Sequence, residues 1–179
     1  MTTNVPQSPS LPPDDLGRDL TLTQPDNDQG LPHIGLVGDT YTITVPGEAT
    51  AGQFTVIDMH VPPGGGPPPH RHSFEETFIL LAGEMEATFR GKKIVVKAGE
   101  TVTVPSNAPH QFKNVSGQPV RMLCICSPAG QEKFFMEVGV PVATRTTAPP
   151  PLSEEQQAAF LKKVMELAPK YHTELLKEA

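Results

Sequence analysis

An all-β fold is predicted for this chain by three features. Apolar and polar residues alternate with a period of two over several short runs, the pattern of half-buried strands. Glycines and prolines punctuate those runs, at Pro62-Pro63-Gly64-Gly65-Gly66-Pro67-Pro68-Pro69, at Gly83, and at Pro105 and Pro109. Helical spacing with a clear start signal is found only after Pro151.

The elements follow in order. Residues 1 to 35 hold Pro6, Pro9, Pro12, Pro13, Pro25 and Pro32 among polar neighbours. Such a segment buries little surface and is expected to be extended or loosely ordered. Thr40 to Val45 and Gln53 to Val61 read as strands flanking a Gly47-Glu48 turn. The Pro62 to Pro69 run is a stiff connector that also shapes whatever follows it. His70 and His72 are two apart, so in an extended segment they point the same way. Glu76 and Phe78 share a parity in the next run, Glu75 to Leu81. Gly83 then permits a tight reversal into Glu84 to Arg90, where Met85, Ala87 and Phe89 alternate with Glu84, Glu86 and Thr88. Val102 and Val104 alternate with threonines, Pro105 and Pro109 bracket a turn, and His110 opens the next strand.

The tail begins near Gln131. Glu132 to Gly139 is a short apolar run compatible with helix or strand, and Arg145 to Pro151 is a proline-rich linker. Ser153-Glu154-Glu155-Gln156 fits a capping box. Phe160, Val164 and Leu167 then form one apolar stripe, expected to cover the core or a dimer partner. Pro169 interrupts, and Tyr171 to Lys177 is expected to be a second short helix.

Composition narrows the function. The chain has 179 residues, 37% hydrophobic and 19% charged, with a net charge of −6, which suits one domain with tails. No basic patch with interleaved aromatics is present, which argues against nucleic acid as a partner. No apolar run is long enough to span a membrane, and Met1 to Leu20 lacks the basic and apolar regions of a secretory signal. A cytoplasmic location and no membrane partner are the expectation. Cys124 and Cys126 lie two apart on one strand face, a poor arrangement for a disulfide. Small apolar filler is the plainer reading of the pair, and zinc ligation would lack the usual spacing and companions.

The chemistry concentrates in two blocks. The first reads Gly64, five residues, His70-Arg71-His72, three residues, Glu76, six residues, Gly83. The second reads Gly99, five residues, Pro105, Ser106, Asn107, two residues, His110, three residues, Asn114. Together they offer three imidazoles and one carboxylate, enough to hold one divalent transition metal and leave positions free. Three neutral histidines, one glutamate and a 2+ ion sum to about +1, which favours an anionic, chelating substrate. The donor set accepts iron, manganese, nickel, cobalt, copper or zinc, so the ion is not identified. Strand parity turns Glu75 to the opposite face, where it reads as a solvated carboxylate. His60, at the end of a strand, reads as structural rather than as a fifth ligand.

These blocks resemble the two motifs of the cupin superfamily. The first fits at every fixed position, and the second departs only at Asn107, where the family has glycine. Asparagine tolerates the left-handed backbone such a turn needs. The resemblance covers residues 36 to 128. It implies a single double-stranded β-helix, a jelly-roll barrel, over residues 36–130, between the extension at 1–35 and a linker and helical tail at 131–179. It also implies that His70, His72, Glu76 and His110 are the metal ligands and that the protein is a homodimer.

A narrower resemblance, to quercetin dioxygenase-like single-domain cupins, rests on two stretches. They are His70-Arg71-His72 with Phe74-Glu75-Glu76-Thr77-Phe78, and the Glu132-x-Phe134-Phe135 tail. It implies a dioxygenase acting on a chelating flavonol or enediol. Glu76 would then be a ligand that can also take the substrate's hydroxyl proton as catalytic base, and its plain alternative is a ligand only. Phe78, Phe89, Phe112 and Met85 are candidate cavity walls or simply core.

Two rivals stand beside that reading. One is a lyase or isomerase using the metal without oxygen chemistry. Cupin lyases that use a tyrosine beside the glutamate are disfavoured, because Thr77 and Phe78 occupy that neighbourhood and the only tyrosines are Tyr41 and Tyr171. The other is a non-catalytic small-ligand-binding or sensor protein. A pure sugar-binding protein would not need all four ligands. The proline-rich N-terminus and short C-terminal helices leave no room for the helix-turn-helix domain that accompanies cupins in transcription factors.

Overall fold

In the computed structural model, residues 11–177 are described. Strands β1 (His33–Leu36), β2 (Asp39–Val45), β3 (Thr55–Val61), β4 (His70–His72), β5 (Glu75–Ala82), β6 (Glu84–Phe89), β7 (Lys92–Lys97), β8 (Thr101–Val104), β9 (His110–Lys113) and β10 (Val120–Ser127) come first. Helix α1 (Gln131–Val138), strand β11 (Val140–Pro141), helix α2 (Glu154–Leu167) and strand β12 (Thr173–Leu175) follow. Two antiparallel sheets result. One has the order β11-β1-β2-β3-β10-β5-β8, the other β12-β4-β9-β6-β7. The expected all-β jelly-roll architecture with a C-terminal helical extension is what the structure shows.

Alternation sets the core. Ile57, Met59 and Val61 of β3, Phe78 and Leu80 of β5, and Met122, Cys124 and Cys126 of β10 are all buried in one cluster. Met85 and Ala87 of β6 face the same interior from the other sheet. Gly83 takes φ +81, and a Cβ there would press on the carbonyl of Pro119, so the β5–β6 reversal needs glycine on both counts. Asn107 stands at φ 64, so asparagine supplies the left-handed turn where the motif has glycine.

A charged cluster fastens the flanking segments to the barrel. Asp58 of β3 is fully buried and accepts from Arg121 of β10 at 2.6 Å. Asp26, from the N-terminal extension, bridges Arg121 at 3.4 Å and Arg145, from the linker, at 2.7 Å. The remaining part of that extension, from Leu11 to Pro32, is mostly exposed, and the prolines Pro6 and Pro9 lie outside the described residues.

The tail departs from expectation in one element. Tyr171 to Lys177 is not a helix. A short 3-10 turn at Ala168–Tyr171 ends where His172 adopts φ 54, and Thr173–Leu175 then pairs with β4. Unpaired backbone groups on β4 offered a partner that local periodicity does not reveal. The Glu132 to Gly139 run resolves as α1, and the Ser153/Gln156 capping box is present in full. Val164 of α2 and Phe134 and Val138 of α1 form a second apolar cluster, with Phe160 and Leu167 packed against it. No helix among the described residues is long and apolar enough to cross a membrane.

Candidate metal centre

His70 and His72 project inward from β4 while Arg71 between them is exposed. His70 is the cross-strand partner of His110 on β9, so two of the imidazoles meet by direct pairing. Glu76 reaches in from β5 on the other sheet. All four side chains are buried, and one ligand atom from each lies within 4.8 Å of the others. The structure thus brings together the four residues the two sequence blocks single out.

Each imidazole is aimed by its other nitrogen. Nδ1 of His70 meets the carbonyl of Pro68, Nδ1 of His72 that of Phe74, and Nδ1 of His110 that of Ala108, each at 2.9 Å. A carbonyl can only accept, so the ring proton belongs on Nδ1 and the Nε2 lone pair points into the cluster. The Phe74 ring stacks on His72 with centroids 3.8 Å apart and locks its plane.

Those tautomers test whether a cation fits. Nε2 of His72 and of His110 each lie 3.1 Å from Oε2 of Glu76. An imidazole lone pair facing a carboxylate oxygen is repulsive unless a positive charge lies between them. Without metal a proton serves: burial lowers the pKa of His110, but the bond and charge of Glu76 outweigh it and hold that pKa above its ordinary value. Burial alone would raise the carboxyl of Glu76, but His110 and His72 outweigh it and hold it well below the usual carboxylate range. His70, buried with His110 beside it, falls to about 4 and stays neutral. A divalent transition ion would replace the proton with three nitrogens and one oxygen, so the residues fit the group.

The second oxygen of Glu76 is held from behind. Cys124 Sγ donates to Oε1 at 3.2 Å, Cys126 Sγ lies 3.9 Å from it, and the two sulfurs are 3.6 Å apart. Burial keeps the Cys124 thiol protonated, with its pKa well above the ordinary value. Both thiols are free. The cysteines therefore do more than fill space: they steady the outer face of a candidate ligand. Sequence alone could not show this, because the contact arises from the β5–β10 register that sets Cys126 opposite Glu76.

The cluster sits between two apolar cavities. His70 and Glu76 line one of about 340 Å³, walled by Phe112, Phe134, Phe135 and Phe160. His110 lines another of about 300 Å³ with Phe78, Met85 and Phe89. Of the four expected wall residues, Phe112 borders both cavities and the other three border only the second. The first cavity's remaining phenylalanine walls come from the tail. Asp39 and Tyr41 also line it. The signal available for them was parity: Asp39, Tyr41 and Ile43 fall on one face of β2. Glu75 is exposed and accepts from the Ser106 amide at 3.1 Å. His60 is half-buried and stands outside the four-residue group.

Residues 57–126 match the cupin domain family model. Quercetin 2,3-dioxygenase of Bacillus subtilis (strain 168) is 31% identical over 108 residues, covering 59% of this chain and 32% of that protein. Auxin-binding protein 1 of Arabidopsis thaliana is 38% identical over 84 residues, 42% of each. The chain thus spans less than half the length of these two curated relatives. Among solved structures, an RmlC-like cupin from Shewanella frigidimarina superposes with a TM-score of 0.51 at 14% identity, over 64% of this chain and 99% of that one. The polyketide cyclase RemF from Streptomyces resistomycificus gives 0.50 at 23% identity, over 75% and 90%. At such identities the likeness concerns the fold. With its facing sheets and a family match that falls within the barrel, this chain carries a cupin-type domain over residues 57–126.

Proposed function

We propose that this protein is a metal-dependent small-molecule enzyme, a quercetinase-like dioxygenase acting on a metal-chelating flavonol or enediol. One observation carries the reading: a three-histidine, one-glutamate cluster opens directly into a largely apolar cavity of about 340 Å³. A transition metal held there would supply Lewis acidity and, if redox-active, a route for electrons to dioxygen. His70, His72 and His110 hold and orient it. Glu76, anionic and at the cavity wall, is placed to accept the proton of a chelating hydroxyl. Phe112, Phe134 and Phe135 exclude water from a flat aromatic substrate. The partial similarity to a quercetin 2,3-dioxygenase supports this choice of substrate class.

The test is oxygen uptake by the metal-loaded protein with quercetin or 3-hydroxyflavone. Substrate-dependent oxygen consumption with ring-opened product is expected. Substrate turnover with no oxygen consumed would replace this reading with a lyase or isomerase. That second reading is favoured by Asp39 and Tyr41, a hydrogen-bonded carboxyl and phenol in the cavity wall that the motif neighbourhood did not offer. A homodimer is proposed as well, supported by the exposed Ile94 and Val95 on edge strand β7; light scattering giving a single-chain mass would remove it.

A further inference from the structure

Asp39 stands out among the buried groups that the dioxygenase reading does not use. It is 3% exposed and lies in the wall of the cavity that also holds His70 and Glu76. Oδ2 accepts from the Tyr41 hydroxyl at 3.1 Å. Oδ1 is buried and has no hydrogen-bond partner. The Gly66 backbone amide is close enough to act on the carboxylate as a weak donor, but it offsets only part of the cost of burial. Gly65 is what admits the carboxylate, since a Cβ there would collide with Oδ1. An unsatisfied buried carboxylate is costly, and a fold that makes room for one calls for a reason. The surroundings supply it: Phe112, Phe134, Phe135 and Met59 make the cavity mostly apolar. Besides the candidate ligands and Tyr41, its polar side chains are the neutral Gln131, Gln157 and Thr173, so Asp39 is the one further carboxylate in the wall. A polar group in an apolar wall fixes the orientation of a ligand.

We propose that the Asp39 carboxylate, positioned by Tyr41, is the polar anchor of this cavity, and that it takes a mostly apolar ligand through a hydroxyl set apart from any metal-binding oxygens. A ligand hydroxyl arriving along the β2 wall would supply the donor that Oδ1 lacks. The substrate class narrows accordingly, to flat apolar molecules carrying a chelating group at one end and a separate hydroxyl elsewhere. This deepens the enzymatic reading and rests on it only for the choice of cavity.

The test uses two fused-ring probes that cannot chelate, 2-naphthol and 2-methoxynaphthalene, titrated by fluorescence into the metal-loaded full chain. At about pH 8.5, above the carboxyl's raised pKa of about 7, a hydrogen bond to a charged acceptor predicts that wild type prefers 2-naphthol by about tenfold. Asp39→Asn and Asp39→Leu are each expected to cut that preference to about twofold or less. Asn would present a donor in place of the acceptor, and Leu presents neither. An unchanged preference in both variants overturns the proposal, as does a wild type that binds neither probe or shows no preference. Failure of both variants to fold would make Asp39 a structural group and overturn it too. Because neither probe engages a metal through paired oxygens, a negative oxygen-uptake experiment leaves this result unaffected.

Discussion

Glu76 is gripped on both oxygens, by imidazoles on one and a thiol on the other, and the two grips have separable consequences. The thiol of Cys124 keeps Oε1 engaged and so fixes which oxygen faces the ion. Cys124→Ala is expected to leave metal binding in place but to weaken it about tenfold, the usual scale for losing a group that orients a ligand. Competition against a chelator of known affinity measures this, and an unchanged affinity would return Cys124 to simple filler. Asp39 makes a second residue-scale prediction. Burial pushes its carboxyl up to about 7 from an ordinary 3.8, and the Tyr41 hydroxyl and Gly66 amide pull it only partway back. The folded state therefore holds the proton more tightly than the unfolded chain. The associated stability is fully present below pH 3.8 and is lost as pH rises to about 7. Asp39→Asn escapes that loss. Its advantage over wild type should be small near pH 4 and grow to at most about 4 kcal/mol above pH 7. Denaturant titrations at several pH values would show it, and a pH-independent gap would contradict it.

At the scale of elements, the tail decides the shape of the cavity. Helix α1 contributes Phe134 and Phe135, α2 contributes Phe160 and Val164, and β12 pairs with the strand that carries His70 and His72. Phe134→Ala is expected to cost about 3 kcal/mol, because a buried ring is deleted at the joint between two helices and the barrel. The Arg71–Glu174 pair across the same β12–β4 seam is 2.6 Å long, but both side chains are about half exposed, so Arg71→Ala should cost under about 1 kcal/mol. Urea unfolding of both variants distinguishes an apolar seam from an electrostatic one. These elements also mark the limit of what the sequence discloses. Strand parity and motif spacing suffice for His70, His72, Glu76 and His110, because the two blocks encode their own turns. The capping box at Ser153 was legible for the same local reason. β12 was not, because its partner lies about a hundred residues earlier and its stability comes from pairing rather than from its own periodicity. Asp39 and Cys124 were missed likewise: their meaning lies in what other strands bring beside them.

For the whole molecule, two facing sheets place three imidazoles and a carboxylate around one point, and folding and ion binding are therefore coupled. An ion held only by the folded state adds stability in proportion to its occupancy, about 2.7 kcal/mol when free metal is a hundredfold above its Kd. Added metal should raise the Tm of wild type, and chelation should reverse the rise. The measurement that tests the central claim most directly is metal content by elemental analysis, on wild type and His72→Ala purified in parallel. The account expects close to one transition-metal ion per chain in wild type and loss of most of it in the variant. A wild type that neither retains nor takes up metal, or a His72→Ala protein that keeps its full complement, would contradict the four-ligand site.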